Sequence, residues 1–285
     1  MNFISINIRG AGNEAKARWV RRMVMERKIS FLAIQETQFS DGSKIMTGDF
    51  WGNTPFVSEV VDSSGRSGGL MSIWNPKIFS KGNVLKHHFF LVISGKLKGL
   101  DKEFHVVNHY GPHLLVDKKS VWNELEGLMA LKGGIWIIMG DFNAVHFPDE
   151  HLNSSFDPAC ARDFNEFIYD AGLFEFAIKG SKFTYCRNRG RKLSKIDRIL
   201  VNQAFIDLWS DACFMALPRY LSDHSPIMLI TDPFDFGPIP FRVFNSRLDN
   251  KELEDIVKKA DIEFTFTGPP DLFLAEKLKW FKDKN

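Results

Sequence analysis

The sequence predicts an α/β fold, a four-layer α/β sandwich in which two packed mixed β-sheets are flanked by helices. Two observations predict it. Short apolar runs of strand length alternate with helix-length stretches whose apolar residues recur at helical spacing, the pattern of sheets covered by helices. In addition, 27 Phe among 285 residues favour a sandwich interior with large flat contacts over a Leu-rich helical bundle.

Each element follows in order. Phe3, Ile4, Ile6 and Ile8 make a strand that stops at Arg9-Gly10-Ala11-Gly12, and residues 14–28 are helical with Val20, Met23 and Val24 on one face. Residues 29–34 form a buried strand ending at Gln35-Glu36-Thr37, which puts a carboxylate at its tip. Ser67-Gly68-Gly69 opens a strand that runs to Trp74 and closes at Asn75-Pro76. Residues 84–97 and 103–108 read as an antiparallel pair joined by a turn containing Gly99.

Val121, Leu125, Leu128 and Met129 set a helix over residues 116–131, leading into the strand Ile135-Trp136-Ile137-Ile138-Met139. Pro158 begins a helix over residues 158–171. Residues 183–185 and 196–201 read as strands around a basic loop, a short helix over 204–209 precedes a strand over 212–217, and residues 227–230 finish the sheet. From Thr231 the character changes. Gly237-Pro238-Ile239-Pro240 reads as a linker, and residues 251–260 and 272–284 as helices with no core of their own. The expected division is a domain over 1–233 and a linker with helical tail over 234–285.

Composition narrows the function classes. A net charge of only +2 means that affinity for nucleic acid would come from local patches. Cys160, Cys186 and Cys213 are odd in number, widely spaced and without Cys-x-x-Cys, which excludes a disulfide framework or zinc knuckle and points to a reducing compartment. Asn2, Ser5 and Asn7 interrupt the N-terminal apolar stretch, so it reads as a strand and not a signal peptide. No apolar run approaches the roughly 20 residues of a membrane helix. The expectation is a soluble monomer of the nucleus or cytoplasm, unsecreted and without a membrane partner.

Polar clusters stand at the strand ends: Asn7-Ile8-Arg9-Gly10, Gln35-Glu36-Thr37, Asn108-His109-Tyr110-Gly111-Pro112, Gly140-Asp141-Phe142-Asn143, Ile196-Asp197-Arg198 and Ser222-Asp223-His224. Loops at strand ends are where a rigid scaffold displays catalytic groups. Singly, each has a plain reading: Asp141 and Asn143 as turn and helix cap, Asp197 as a surface ion pair with Arg198, His224 as a core histidine. As an ordered set they resemble the endonuclease/exonuclease/phosphatase, or deoxyribonuclease I-like, superfamily over residues 2 to about 230. The nearest resemblance is to the apurinic-type endonuclease domain of plant non-LTR retrotransposons of the LINE type. It is supported by Ser67-Gly68-Gly69-Leu70, by residues 195–201 and by Leu217-Pro218-Arg219-Tyr220-Leu221 leading into Ser222. Residues 240–246 resemble the segment that such elements place before a reverse transcriptase, a domain absent from this chain.

The resemblance implies a phosphodiester hydrolase with hard oxygen ligands around Mg²⁺, with Mn²⁺ as a substitute. Glu36 becomes the principal metal ligand, helped by Asn7 and with Asp223 nearby. Asp141 orients and deprotonates the attacking water, Asn143 holds phosphate or water, and Tyr110 binds the phosphate or assists the leaving oxygen. His224 contacts the scissile phosphate while Asp197 fixes its ring. Arg9 grips a phosphate.

Lys182, Arg187, Arg189, Arg191, Lys192 and Lys195 make an acid-free basic stretch suited to tracking a DNA backbone, or to simple solvation of a surface loop. His105, His109, His113, His146 and His151 lack the acid partners and spacing of a zinc site. Tyr185 departs from the Trp common in retrotransposon relatives, and Arg247 from an aromatic. The expected function is DNA nicking. A phosphatase or phosphodiesterase acting on small or lipid phosphates, and an inactive nucleic-acid-binding relic, are the alternatives.

Overall fold

The computed structural model describes residues 1–65, 67–187 and 191–231, and in the C-terminal stretch residues 259, 262–268, 273, 276, 277 and 280. In chain order the first elements are β1 (Asn2–Asn7), α1 (Glu14–Glu26), β2 (Phe31–Gln35), α2 (Gly48–Trp51), β3 (Val57–Ser64) and β4 (Ser67–Trp74). Next come β5 (Phe79–Lys86), β6 (Phe90–Leu97), β7 (Glu103–Tyr110), α3 (Leu115–Lys132), β8 (Ile135–Asp141), β9 (His151–Leu152) and α4 (Pro158–Asp170). The last are β10 (Leu173–Glu175), β11 (Ile178–Gly180), β12 (Tyr185–Arg187), β13 (Lys192–Ser194), β14 (Asp197–Asn202), α5 (Gln203–Ile206), β15 (Cys213–Ala216) and β16 (Ile227–Ile230).

Among the described residues the strands form a seven-stranded sheet, β11-β15-β16-β1-β2-β4-β3, and a six-stranded sheet, β10-β14-β8-β7-β6-β5. Both are mixed: β1 runs parallel to β2 and β7 parallel to β8, while their other neighbours are antiparallel. The two-residue period of a strand sorts the side chains. Phe3 of β1, Phe31 of β2, Phe104 of β7, Ile137 of β8 and Ile199 of β14 enter the core between the sheets. Ile4, Ile6 and Leu32 enter a second core with Val20, Met23, Phe50 and Trp51 of α1 and α2. Trp136, Ile138 and Leu200 enter a third with Trp122, Leu125, Phe164 and Phe167 of α3 and α4. Helix, sheet, sheet and helix are thus stacked as four layers.

Phe3, Phe31, Phe79, Phe104, Phe205 and Phe214 are buried in the inter-sheet layer, and the other buried phenylalanines lie in the helix-facing cores. Phe31 stacks on Trp74 at 5.7 Å and Phe3 on Phe104 at 6.0 Å. Each such ring contributes roughly 1.5–3 kcal/mol by leaving water. Toward one end of the sandwich the same face turns polar. Ser5, Gln35 and Asn108 are buried there, with Gln35 Nε2 donating to Ser5 Oγ at 2.9 Å and Asn108 Oδ1 at 2.6 Å. Asn108 Nδ2 donates back to the carbonyls of Ile34 and Met71, both at 3.1 Å. This clasp ties β7 of one sheet to β2 and β4 of the other.

One expectation on elements changes, and two elements were not expected. Residues 84–97 are two strands, β5 and β6, because His87 N–H bonds to Phe90 O and His87 Nδ1 accepts Phe89 N–H, which turns the chain. β3 is an edge strand whose half-exposed Glu59 and Val60 gave no buried-run signal. A third, small sheet, β12-β13-β9, carries the basic stretch. Packing divides the chain into Met1–Pro233 and Phe234–Asn285. Within the second unit Phe264 packs on Phe273 at 5.7 Å and on Phe266 at 6.3 Å. The 237–240 linker and residues 240–246 lie outside the described residues. No described helix is long and apolar enough to cross a membrane.

Removing the Asn108 clasp leaves Gln35 and two buried carbonyls short of partners. Asn108→Ala is expected to lower the unfolding free energy by about 2–3 kcal/mol, read from urea denaturation. A loss below about 0.5 kcal/mol, the level of an ordinary surface change, contradicts the clasp.

Candidate active site

The period that buries Phe3 and Ser5 between the sheets also points Asn7 there, and it does the same for Asp141 at the end of β8 and Asp197 at the start of β14. β8 and β14 are antiparallel with Asp141 directly opposite Asp197. Two carboxylates in such a pair repel. His224, just before β16 of the other sheet, answers them: Nδ1 lies 2.9 Å from Asp197 Oδ1, and Nε2 lies 3.8 Å from Asp141 Oδ2. All three are buried, at 3% exposure or less.

Their proton affinities follow from this placement. Burial alone would lower the His224 imidazolium, but the charge of Asp197, then of Asp141, outweighs it and raises it to about 9. Burial drives Asp141 up to about 7, with His224 pulling it down and Asp197 pushing it up. His224 is therefore an imidazolium at neutral pH with Nδ1–H held by Asp197. Its Nε2–H faces Asp141, a carboxylate basic enough to take a proton.

Backbone details hold Asp141 still. Its Oδ1 accepts Asn143 N–H at 2.9 Å and its Oδ2 accepts Asn7 Nδ2 at 3.0 Å. Asn143 sits in the left-handed region at φ 48° and donates from Nδ2 to Gly111 O at 2.7 Å. A Cβ at Gly111 would stand 2.3 Å from Phe142 O, and one at Gly140 1.8 Å from His109 O. Both glycines are set by that close approach. Tyr110, opposite Asp141 in β7, is 4% exposed and packs into the inter-sheet core.

Above this buried floor lies a more open rim of Glu36, Arg9 and Asp223. Glu36 follows β2 at φ 52° and accepts from Asn7 Nδ2 at 2.8 Å. Arg9, at φ 47°, bonds to Asp223 through Nη1 and lies 3.8 Å from Glu36 through Nε. Such positive φ values are costly for these residues and mark functional turns. Ser222 Oγ donates to Asn7 O at 2.7 Å and accepts His224 N–H, tying the two loops together.

The tightest group of metal-capable side chains among the described residues is Asp141, Asp197 and His224, whose donor atoms lie within 4.8 Å of one another. An imidazolium has no lone pair to give, so this trio suits proton handling better. The oxygens of Glu36, Asn7 and Asp223 suit a hard divalent cation. Asp223 Oδ1 is buried with no hydrogen-bond partner, so the residues present fit such an ion.

Of the sequence-predicted residues, Asn7, Arg9, Glu36, Asp141, Asn143, Asp197, Asp223 and His224 gather here, with Tyr110 level with Asp141 on the neighbouring strand. Lys182, Arg187, Arg191 and Lys192 are exposed, and Lys182 pairs with Asp149 at 2.6 Å. Arg189 lies outside the described residues. Lys195 is a correction: it is buried and paired with Glu175 at 2.6 Å and Glu150 at 3.6 Å, so it serves the interior and not a nucleic-acid surface. The same two carboxylates hold the fully buried Arg198, which lies over the Phe164 ring at 5.5 Å. Alternation sends Arg198 to the opposite face of β14 from Asp197, and the two do not form the surface pair that adjacency allows.

Sequence reasoning missed three supports. Thr184 Oγ1 accepts the N–H groups of Ile196 and Asp197. Tyr185 packs its ring 4.7 Å from that of His224, so this departure from relatives does touch the site. Lys118 is buried on α3 and donates to Asn143 O at 2.5 Å. Its place three residues before Val121 on the apolar stripe was the available signal. Among the other histidines, His109 is driven to about 3 by burial and stacks on Phe142 at 4.3 Å, a neutral core residue.

Residues 4–224 match the Endonuclease/Exonuclease/phosphatase family. The chain belongs to this family. Solved structures share its fold: the AP endonuclease LMAP from Leishmania major (TM-score 0.65, 15% identity, 80% of this chain and 86% of that one), and the 3'-5' exonuclease NExo from Neisseria meningitidis (TM-score 0.61, 16% identity, 81% and 99%). A third is the endonuclease domain of TRAS1, a telomere-specific non-LTR retrotransposon (TM-score 0.55, 14% identity, 80% and 96%). No curated protein matches by sequence.

The raised His224 value has a measurable consequence. A histidine raised in the folded state stabilises fully below its unfolded value near 6.5 and loses that contribution as pH rises through about 9. Unfolding free energy from this group therefore falls across that window. Proton NMR should find the His224 ring titrating near 9, and Asp197→Asn should bring it to about 6.5 or below and flatten the pH dependence. An unmoved titration contradicts the pairing.

Proposed function

We propose that the chain is an Mg²⁺-dependent endonuclease that nicks one DNA strand by attack of water on phosphorus, Mn²⁺ serving as a substitute. The observation that carries this reading is the pairing of a basic, buried Asp141 with the His224 imidazolium across the two sheets. Hydrolysis of a phosphodiester needs a base for the water and positive charge for the phosphate oxygens, and these two groups supply one each.

In this mechanism Asp141 Oδ2 takes the proton of the attacking water, while Asn143 N–H and Asn7 keep its carboxylate fixed. His224 Nε2–H donates to a phosphate oxygen, with Asp197 holding the ring from behind. Arg9, at the rim, gives a second cationic contact. Tyr110 assists at the phosphate or the leaving oxygen. Glu36, Asn7 and Asp223 would hold the divalent ion, which supplies charge neutralisation at the leaving oxygen.

Two observations favour DNA over small phosphates. The β12–β13 hairpin reaches the site through a bridge between Tyr185 and His224, and exposes Arg187, Arg191 and Lys192 beside it. One structure sharing the fold, a 3' phosphatase from Neisseria, is bound to a product DNA hairpin. By the sequence resemblance we assign the chain to a LINE-type retroelement, with residues 234–285 as the linker and helical tail before a polymerase and the nucleus as the place of action.

Supercoiled plasmid is the direct test. Nicking should require Mg²⁺ or Mn²⁺ and stop in EDTA, and Asp141→Asn should slow it by about 10²–10⁴-fold. Arg187→Ala with Lys192→Ala should weaken DNA binding and reduce its salt slope by about 1–2, while Lys195→Met should destabilise the fold and leave that slope unchanged. Nicking that survives EDTA or Asp141→Asn overturns the mechanism, and turnover of small phosphates alone overturns the substrate.

A further inference from the structure

A second surface begins where the active site ends. α1 and the segment 217–221 wall a groove of about 750 Å³. Arg18, Trp19 and Arg22 face it from the helix, at the spacing of one helical stripe, with Arg27 at its far end and Arg219 and Tyr220 on the opposite wall. Its near end, Leu221, precedes Ser222, which is hydrogen-bonded to Asn7 O in the site.

The groove combines aromatic and cationic groups. Tyr220 is 74% exposed, yet its ring is propped edge-on by Trp19 at 6.1 Å. One guanidinium nitrogen of Arg219 is buried without a hydrogen-bond partner. Arg18 and Arg22 pair with Glu14 and Glu26 on the helix surface, and exposed pairs of that kind yield readily to a phosphate.

We propose that this groove binds an unpaired strand of nucleic acid continuous with the strand at the active site. An exposed aromatic ring selects an unpaired base, because bases inside a duplex have no free face to offer. The arginines supply the phosphate contacts that a single strand requires. An acidic peptide would use the arginines and leave Tyr220 idle. The groove takes its direction from the phosphodiesterase reading of the site, and its test is independent of catalysis.

The test is fluorescence anisotropy of the full chain in EDTA with a labelled oligothymidylate of about 12 nucleotides, inside the usual site-size range, against the matching duplex. The oligothymidylate should quench Trp fluorescence. Tyr220→Ala should weaken its binding about tenfold and Tyr220→Phe should retain it, as one stacked base requires. Arg18→Glu with Arg22→Glu should reduce the log–log salt slope by about 1–2. Equal affinity of the wild type and these variants, or binding of the duplex alone, overturns the groove. Single-strand binding in a chain that never nicks supports the groove and contradicts the active-site reading, so the two fail separately.

Discussion

Everything at the active end depends on the register of β8 against β14, which sets Asp141 opposite Asp197 in the buried space between two sheets. Buried carboxylates facing each other are costly unless a cation stands between them. His224 is that cation, and it comes from the other sheet. The pair of acids therefore makes the histidine a stable imidazolium, and the histidine makes the acids tolerable. One constraint thereby closes the sandwich at this end and sets two protonation states that hydrolysis can use.

The inter-sheet face is graded along its length. Stacked rings such as Phe31 and Trp74 give way to the Ser5, Gln35 and Asn108 clasp, then to Asn7, Asp141 and His224, and finally to the rim of Glu36, Arg9 and Asp223. Each layer orients the next. Gln35 is locked by Asn108 immediately before Glu36 turns out at positive φ, and Asn7 bridges Glu36 to Asp141. The site is rigid because its members stand in or beside the ends of β1, β2, β8, β14 and β16, whose residues are fully packed.

Much of this was legible in the sequence because strand ends announce themselves. Polar strings at the ends of apolar runs located Asn7, Glu36, Asp141, Asp197 and His224, and strand periodicity would have put the first of these on the same face as Phe3 and Ser5. The supports were less legible for a physical reason. Lys118, Thr184 and Tyr185 act through contacts distant in sequence, and a lysine on an apolar stripe is read as an interruption until its partner, Asn143 O, is seen. Lys195 misled in the opposite sense. Local charge counting sees a basic stretch, whereas burial with Glu150 and Glu175, 45 and 20 residues away, decides what the lysine does. The basic loop and the 84–97 turn show the same limit, since side-chain to backbone bonds such as His87 to Phe89 leave no mark on hydropathy.

The central claim is that Asp141 activates water against a phosphate held by His224. Cleavage of a defined oligonucleotide in water enriched in ¹⁸O, with mass analysis of the products, tests it most directly. The account predicts one solvent oxygen in the terminal phosphate of the cleaved strand and none in the hydroxyl left opposite. Solvent oxygen in the hydroxyl, or a phosphate product without it, would contradict attack of water on phosphorus at this site.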